Sequence, residues 1–220
     1  MLAVELNNNN IPHLELHDTV AKALQLFSDF KVSHLPVLDE EKFVGLISEE
    51  DLLDVHNKNM EIELLQRDFI AASIYENDHF LKAVNISNQF QTTIIPVINF
   101  DKELIGTISS QTLLKALGHF SGSEEIGGII VLEMEKNQFT ISELSRIVES
   151  NGAQVQHLNT SLQPDTGLLR VTIQVNKKDL SALVASFERY EYSVIHYFGE
   201  EKFENEIHSN YRHLMNYLDI

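Results

Sequence analysis

KVSHLPVLDEEKFVGLISEEDLL, from Lys31 to Leu53, recurs as QTTIIPVINFDKELIGTISSQTLL, from Gln91 to Leu114. Pro36 aligns with Pro96 and Gly45 with Gly106, and the later copy carries one extra residue in the turn around Asp101. A repeat is the first thing to settle, because each copy is a supersecondary unit that buries its apolar face only against a neighbour. Each copy here reads as helix, strand, turn, strand, helix. Ahead of the first, Asp18 or Thr19 can cap a helix whose residues Val20, Ala23, Leu24 and Phe27 follow the i, i+3, i+4, i+7 pattern, and Phe80, Ala83 and Val84 stand equivalently ahead of the second. Val32 to Leu38 and Phe43 to Ile47 are apolar and β-branched and flank the polar turn Asp39–Lys42, which predicts a hairpin. Pro36 lacks an N–H for a ladder and is expected at a strand edge or bulge.

The second half follows a different pattern. GHFSGSEEIGG, Gly118 to Gly128, has the composition of a connector, and residues 119–127 are read as a linker between a 1–118 module and a 128–198 domain. Ile129 to Met134 reads as a strand. Thr140 with Glu143 has the spacing of a capping box, opening a helix with Ile141, Leu144, Ile147 and Val148 on its buried stripe. Asn151–Gly152 ends that helix, and a strand follows near Gln154 to Thr160. QPDTG, Gln163 to Gly167, is a turn, after which Leu169, Val171, Ile173 and Val175 alternate with Arg170, Thr172 and Gln174. Leu180, Leu183, Val184 and Phe187 mark a second helix, and Tyr192 to Phe198 a last strand. The order βαββαβ is the ferredoxin-like arrangement, with two helices on one face of an antiparallel sheet. In the tail, 199–220, Ile207, Tyr211, Leu214, Met215 and Leu218 lie at helical spacing, predicting an amphipathic helix docked on this chain or a second copy. The fold class is α/β (α+β), a tandem repeat module followed by a ferredoxin-like domain.

Composition narrows the partners. A formal net charge of −17 repels phosphate backbones and anionic lipid surfaces, so neither nucleic acid nor membrane is expected. The absence of cysteine excludes disulfides, thiolate metal sites and cysteine nucleophiles, and fits a reducing cytoplasm. MLAVELNNNN has no signal-peptide pattern, and no apolar run approaches the roughly 18 residues of a membrane span. No expected helix carries two histidines at the i, i+4 spacing of metal ligands, His13 and His17 standing ahead of the first helix, and no metal is expected. No nucleophile–base arrangement, Gly-rich phosphate loop or zinc-protease motif is present, and the expected function is not catalytic.

VSHLPVLD, then VGLIS, then a Ser-x-x-Asp helix start resembles the cystathionine-β-synthase-type (CBS) repeat, here in two copies at about 11–54 and 71–117. The run ISELSRIVESNGAQVQHL resembles the first helix and second strand of an ACT domain, although the preceding EKNQFT, Glu135 to Thr140, has no glycine where many ACT domains carry one. Together the two parts resemble the bacterial acetoin-utilization-type CBS–ACT proteins. That resemblance implies a regulatory protein, a homodimer or higher even oligomer, whose CBS cleft takes AMP or another adenosine derivative. It implies Ile11, His34, Pro36, Ser48 and Asp51 as ligand-binding residues, with Asp51 accepting hydrogen bonds from a ribose diol and His34 facing a phosphate. Ser48 and Asp51 read equally as a helix cap that needs no ligand. In the second copy the equivalent positions are Ser109 and Thr112, and threonine offers no anionic acceptor for a diol. Two functions follow: a nucleotide-sensing regulator, or an assembly protein whose modules have lost their ligands.

Overall fold

The computed structural model describes residues 1–8 and 10–199. It divides into two compact units, Met1–Phe120 and a second that begins at Ser121. The expected helix between Glu204 and Ile220 lies outside the described residues.

The first unit is two copies of one motif. β1 (Leu14–Glu15), α1 (Val20–Phe30), β2 (His34–Asp39), β3 (Lys42–Ser48) and α2 (Glu49–Leu53) form the first. β4 (Ile74–Tyr75), α3 (Phe80–Phe90), β5 (Ile94–Ile98), β6 (Leu104–Ser109) and α4 (Ser110–Phe120) form the second. Each copy holds a three-stranded sheet, β1-β2-β3 or β4-β5-β6, with one parallel and one antiparallel pairing. The likeness extends to backbone detail. Lys31 and Gln91, after α1 and α3, are both left-handed at φ 53°. The hairpins bulge at equivalent steps, Val37/Leu38 and Val97/Ile98. Thr19 caps α1, its Oγ1 accepting from the Lys22 amide at 3.3 Å. Pro36 is not at a sheet edge: it lies in the middle strand one residue before the bulge, where β1 has not begun, since β1 meets β2 at Val37 and Leu38.

The periodicity does not reveal that the repeats exchange their leading segments. Ala3–Leu6, a single 3-10 turn, packs into the core of the second repeat: Ala3 is fully buried in a cluster with Ile74, Ala83, Ile95, Val97, Ile108 and Leu113. Ile62–Asp68 does the same for the first repeat, placing Ile62 among Val20, Phe27, Leu35 and Val37. Their backbone bonds are equivalent. The Ala3 amide donates to the Asp78 carbonyl at 2.9 Å and the Ile62 amide to the Asp18 carbonyl at 2.8 Å. Asn8 then forms an antiparallel bridge to Thr107 as Ile70 does to Leu46.

α4 continues through His119 to Phe120, so the expected linker at 119–127 starts two residues late, at Ser121. The cause is aromatic packing: Phe120 meets Phe80 and His79 edge-on at 5.5 and 6.1 Å.

The second unit comprises β7 (Gly128–Met134), α5 (Ile141–Ser150), β8 (Val155–Leu162), β9 (Leu169–Val175), α6 (Ser181–Arg189) and β10 (Ser193–Phe198). Its four antiparallel strands run in the order β10-β7-β9-β8, which is the ferredoxin-like order. β9 alternates buried and half-buried residues without a break, and its buried set joins Ile130, Leu132, Leu144, Ile147, Leu183 and Phe187 in one core. Gly152, at φ 66°, closes α5. The capping box does not form: Thr140 makes no side-chain cap bond, and Glu143 is drawn away to accept from the Tyr192 hydroxyl at 3.0 Å. Ile141 is exposed, off the buried stripe of α5. No helix among the described residues is long and apolar enough to cross a membrane.

Candidate functional site

Ser48 is the last residue of β3 and the N-cap of α2. Its Oγ accepts from the Asp51 amide at 3.1 Å and donates to Asp51 Oδ2 at 2.6 Å, so the fold brings this pair together at the exposed mouth of a short helix. Glu49, Glu50 and Asp51 all sit in its first turn. The second repeat reproduces the geometry without the charge. The Thr112 amide donates to Ser109 Oγ at 3.1 Å, and the two hydroxyls lie 2.9 Å apart. Only the first repeat therefore presents a carboxylate capable of accepting both hydrogens of a vicinal diol.

His34 opens β2 directly opposite Ser48 in the β2–β3 ladder. It is buried to 9% exposure and its Nδ1 contacts Thr93, 3.0 Å from Oγ1 and 3.3 Å from the amide nitrogen. Burial holds the imidazole below its ordinary pKa, against the opposing pull of Asp51. Pro36 is buried and faces Leu46 across the hairpin. Ile11 is half-buried and packs against two clusters, the first-repeat core and a small one of Leu46, Ala72 and Ile94. The five residues thus differ in setting: Ser48 and Asp51 bond to one another, His34 stands beside them, and Ile11 and Pro36 are packing positions. Thr93 was not marked by any motif, since a threonine before an apolar strand is unremarkable in sequence.

A second polar group lies on the same unit. His17 Nδ1 is 3.1 Å from Glu61 Oε2 and 3.8 Å from Glu63 Oε2. The hydrogen bond to Glu61, with its charge, raises the His17 pKa. The ligand atoms of these three exposed side chains lie within 4.8 Å of one another, a spacing an ion pair explains by itself. In the ferredoxin-like unit, burial and the Glu143 bond push Tyr192 up to about 12.

Comparison with known proteins gives these sites a context. Residues 3–58 match the CBS domain family. The chain is 27% identical over 100 residues to the inosine-5'-monophosphate dehydrogenase of Methanocaldococcus jannaschii, covering 44% of this chain and 20% of that enzyme. It is 26% identical over 101 residues to an uncharacterized protein of the same organism, covering 45% and 33%. The chain thus spans a third or less of the length of these relatives. Among solved structures it resembles a CBS domain pair/ACT domain protein from Thermotoga maritima with a TM-score of 0.50 and 22% identity, over 55% of this chain and 98% of that one. That likeness is one of fold. Residues 3–58 thus resemble a CBS domain, and with the second copy of the motif the unit Met1–Phe120 has the fold of a CBS-domain pair.

Proposed function

We propose that this chain is a non-catalytic regulatory protein that senses an adenosine-type ligand at Ser48 and Asp51 of its CBS pair, working as a homodimer or higher even oligomer. The observation that carries the reading is the asymmetry of the two helix mouths: Ser48 with a carboxylate at Asp51, Ser109 with a hydroxyl at Thr112. Thr112 keeps the same cap geometry with a hydroxyl, whereas a ribose diol is held best by an anionic acceptor. Glu49 and Glu50 in the same turn repel added phosphates, so AMP or an uncharged adenosine derivative is preferred to ATP. Calorimetric titration of AMP and ATP into the wild type, Asp51→Ala and Thr112→Ala tests this. Tighter ATP binding, or equal losses in both variants, would place the site elsewhere.

A second reading, assembly without ligand, is supported by the engagement of Ser48 Oγ: it already donates and accepts within its own helix, as a cap does. Binding of neither nucleotide favours it.

A further inference from the structure

His34 and its counterpart Ile94 join the two repeats by opposite chemistry. Ile94 is buried with Leu46 and Ala72 in an apolar cluster drawn from both repeats. His34 instead reaches Thr93, the residue that precedes Ile94. A backbone amide can only donate, so the His34 Nδ1 that faces the Thr93 N–H at 3.3 Å carries no proton, and the Thr93 hydroxyl at 3.0 Å donates to the same nitrogen. The ring is therefore neutral, with its hydrogen on Nε2. Beyond it, the Thr93 carbonyl accepts from the Ser110 amide at 2.9 Å and from Ser110 Oγ at 2.8 Å, at the first residue of α4. On its other side His34 stands opposite Ser48, which holds Asp51. A continuous row of neighbours thus runs from the carboxylate of the first repeat to the start of α4 in the second.

We propose that His34 is a proton-controlled latch between the two repeats, closed while its Nδ1 is bare, and that it couples the Ser48–Asp51 pair to the first turn of α4. The latch belongs to the free protein; its coupling to a ligand rests on the reading given under Proposed function. Protonation would set an Nδ1–H against the Thr93 N–H, replacing attraction by repulsion. Asp51, on α2, is the charged group whose field reaches the ring and it favours that proton, while Thr93 and Ser110 bring only neutral dipoles and burial opposes the charge. The latch opens as pH falls.

The test uses the full chain, labelled with 15N and without ligand. At pH 7.5 the His34 nitrogens should show the Nε2–H tautomer, and the Thr93 amide resonance should titrate with the midpoint of the ring. Thr93→Val keeps the amide and removes the donating hydroxyl, so the midpoint should move up; burial alone would leave it in place. An Nδ1–H tautomer at neutral pH, a Thr93 amide indifferent to the titration, or an unmoved midpoint in Thr93→Val overturns the latch. AMP is then added. If it binds with a measurable heat, its addition should shift both the His34 midpoint and the Thr93 amide; binding that leaves them unmoved overturns the coupling while the ligand site stands. If AMP does not bind, the ligand reading and the coupling fall together, and the tautomer and midpoint alone decide the latch.

Discussion

Asn8 and Thr107 exchange both backbone hydrogen bonds, at 2.7 and 3.3 Å, and the Thr107 hydroxyl adds a third to the Asn8 carbonyl at 3.0 Å. The N-terminal segment is thereby tied to the last strand of the second repeat rather than to the first repeat that follows it in sequence. Leu46 and Ile70 make the reciprocal exchange at 2.9 and 2.8 Å. Each repeat is completed by a segment preceding the other, so neither core is whole without both.

The exchange predicts where the chain is sensitive. Ala3→Asp places an unpaired carboxylate in the fully buried second-repeat core and should cost roughly 3 kcal/mol or more. Val4→Asp, one residue on at an exposed position, should stay within about 0.5 kcal/mol. Urea unfolding of the two variants measures both. Similar losses would show that the segment contributes no packing.

Thr92 offers the opposite sign. It is 3% exposed and its Oγ1 finds no hydrogen-bond partner among the described residues, whereas the first repeat has Val32 at the same place. A buried hydroxyl without a partner keeps its desolvation cost, so Thr92→Val should stabilise by about 1 kcal/mol, or roughly 4 °C in Tm for the unit Met1–Phe120. A lower Tm would reveal a partner for that oxygen.

At the Ser48–Asp51 pair, hydrogen bonds to a charged group are worth roughly 1.5–3 kcal/mol, so Asp51→Ala should weaken AMP binding by about 10- to 150-fold. Thr112→Ala should leave the isotherm nearly unchanged. The ratio between the variants, not the absolute affinity, is the quantity to compare.

Two groups give pH signatures of defined sign. His17 is raised by its bond to Glu61, so its contribution is present in full below the ordinary histidine value and is lost as pH rises through the folded value. An NMR titration should find it above 6.5, and Glu61→Gln should bring it down. Tyr192 is likewise raised, to about 12, so the fold favours its neutral form and that contribution fades as pH rises above 10 toward 12. Alkaline unfolding should therefore shift in Tyr192→Phe, while ultraviolet titration of the wild type shows one tyrosine ionising late.

Local chemistry made much of this protein legible in sequence. The two Pro-to-Gly hairpins, the Thr19 cap, the left-handed Gly152 and the alternation of Leu169 to Val175 are dictated by residues within a few positions of one another, and each stands in the structure. The Ser48–Asp51 contact belongs to the same class, since a three-residue spacing at a helix start already brings the two side chains together. Tertiary structure alone decided the rest. Which core receives Ala3 and which receives Ile62 depends on contacts between distant segments that no local pattern encodes. Glu143 forsakes the Thr140 cap because Tyr192, far along the chain, offers a better-buried hydroxyl. The family resemblance sets His34 against a phosphate, but the fold buries the ring and sets the Thr93 amide against its Nδ1, both of which favour the neutral form.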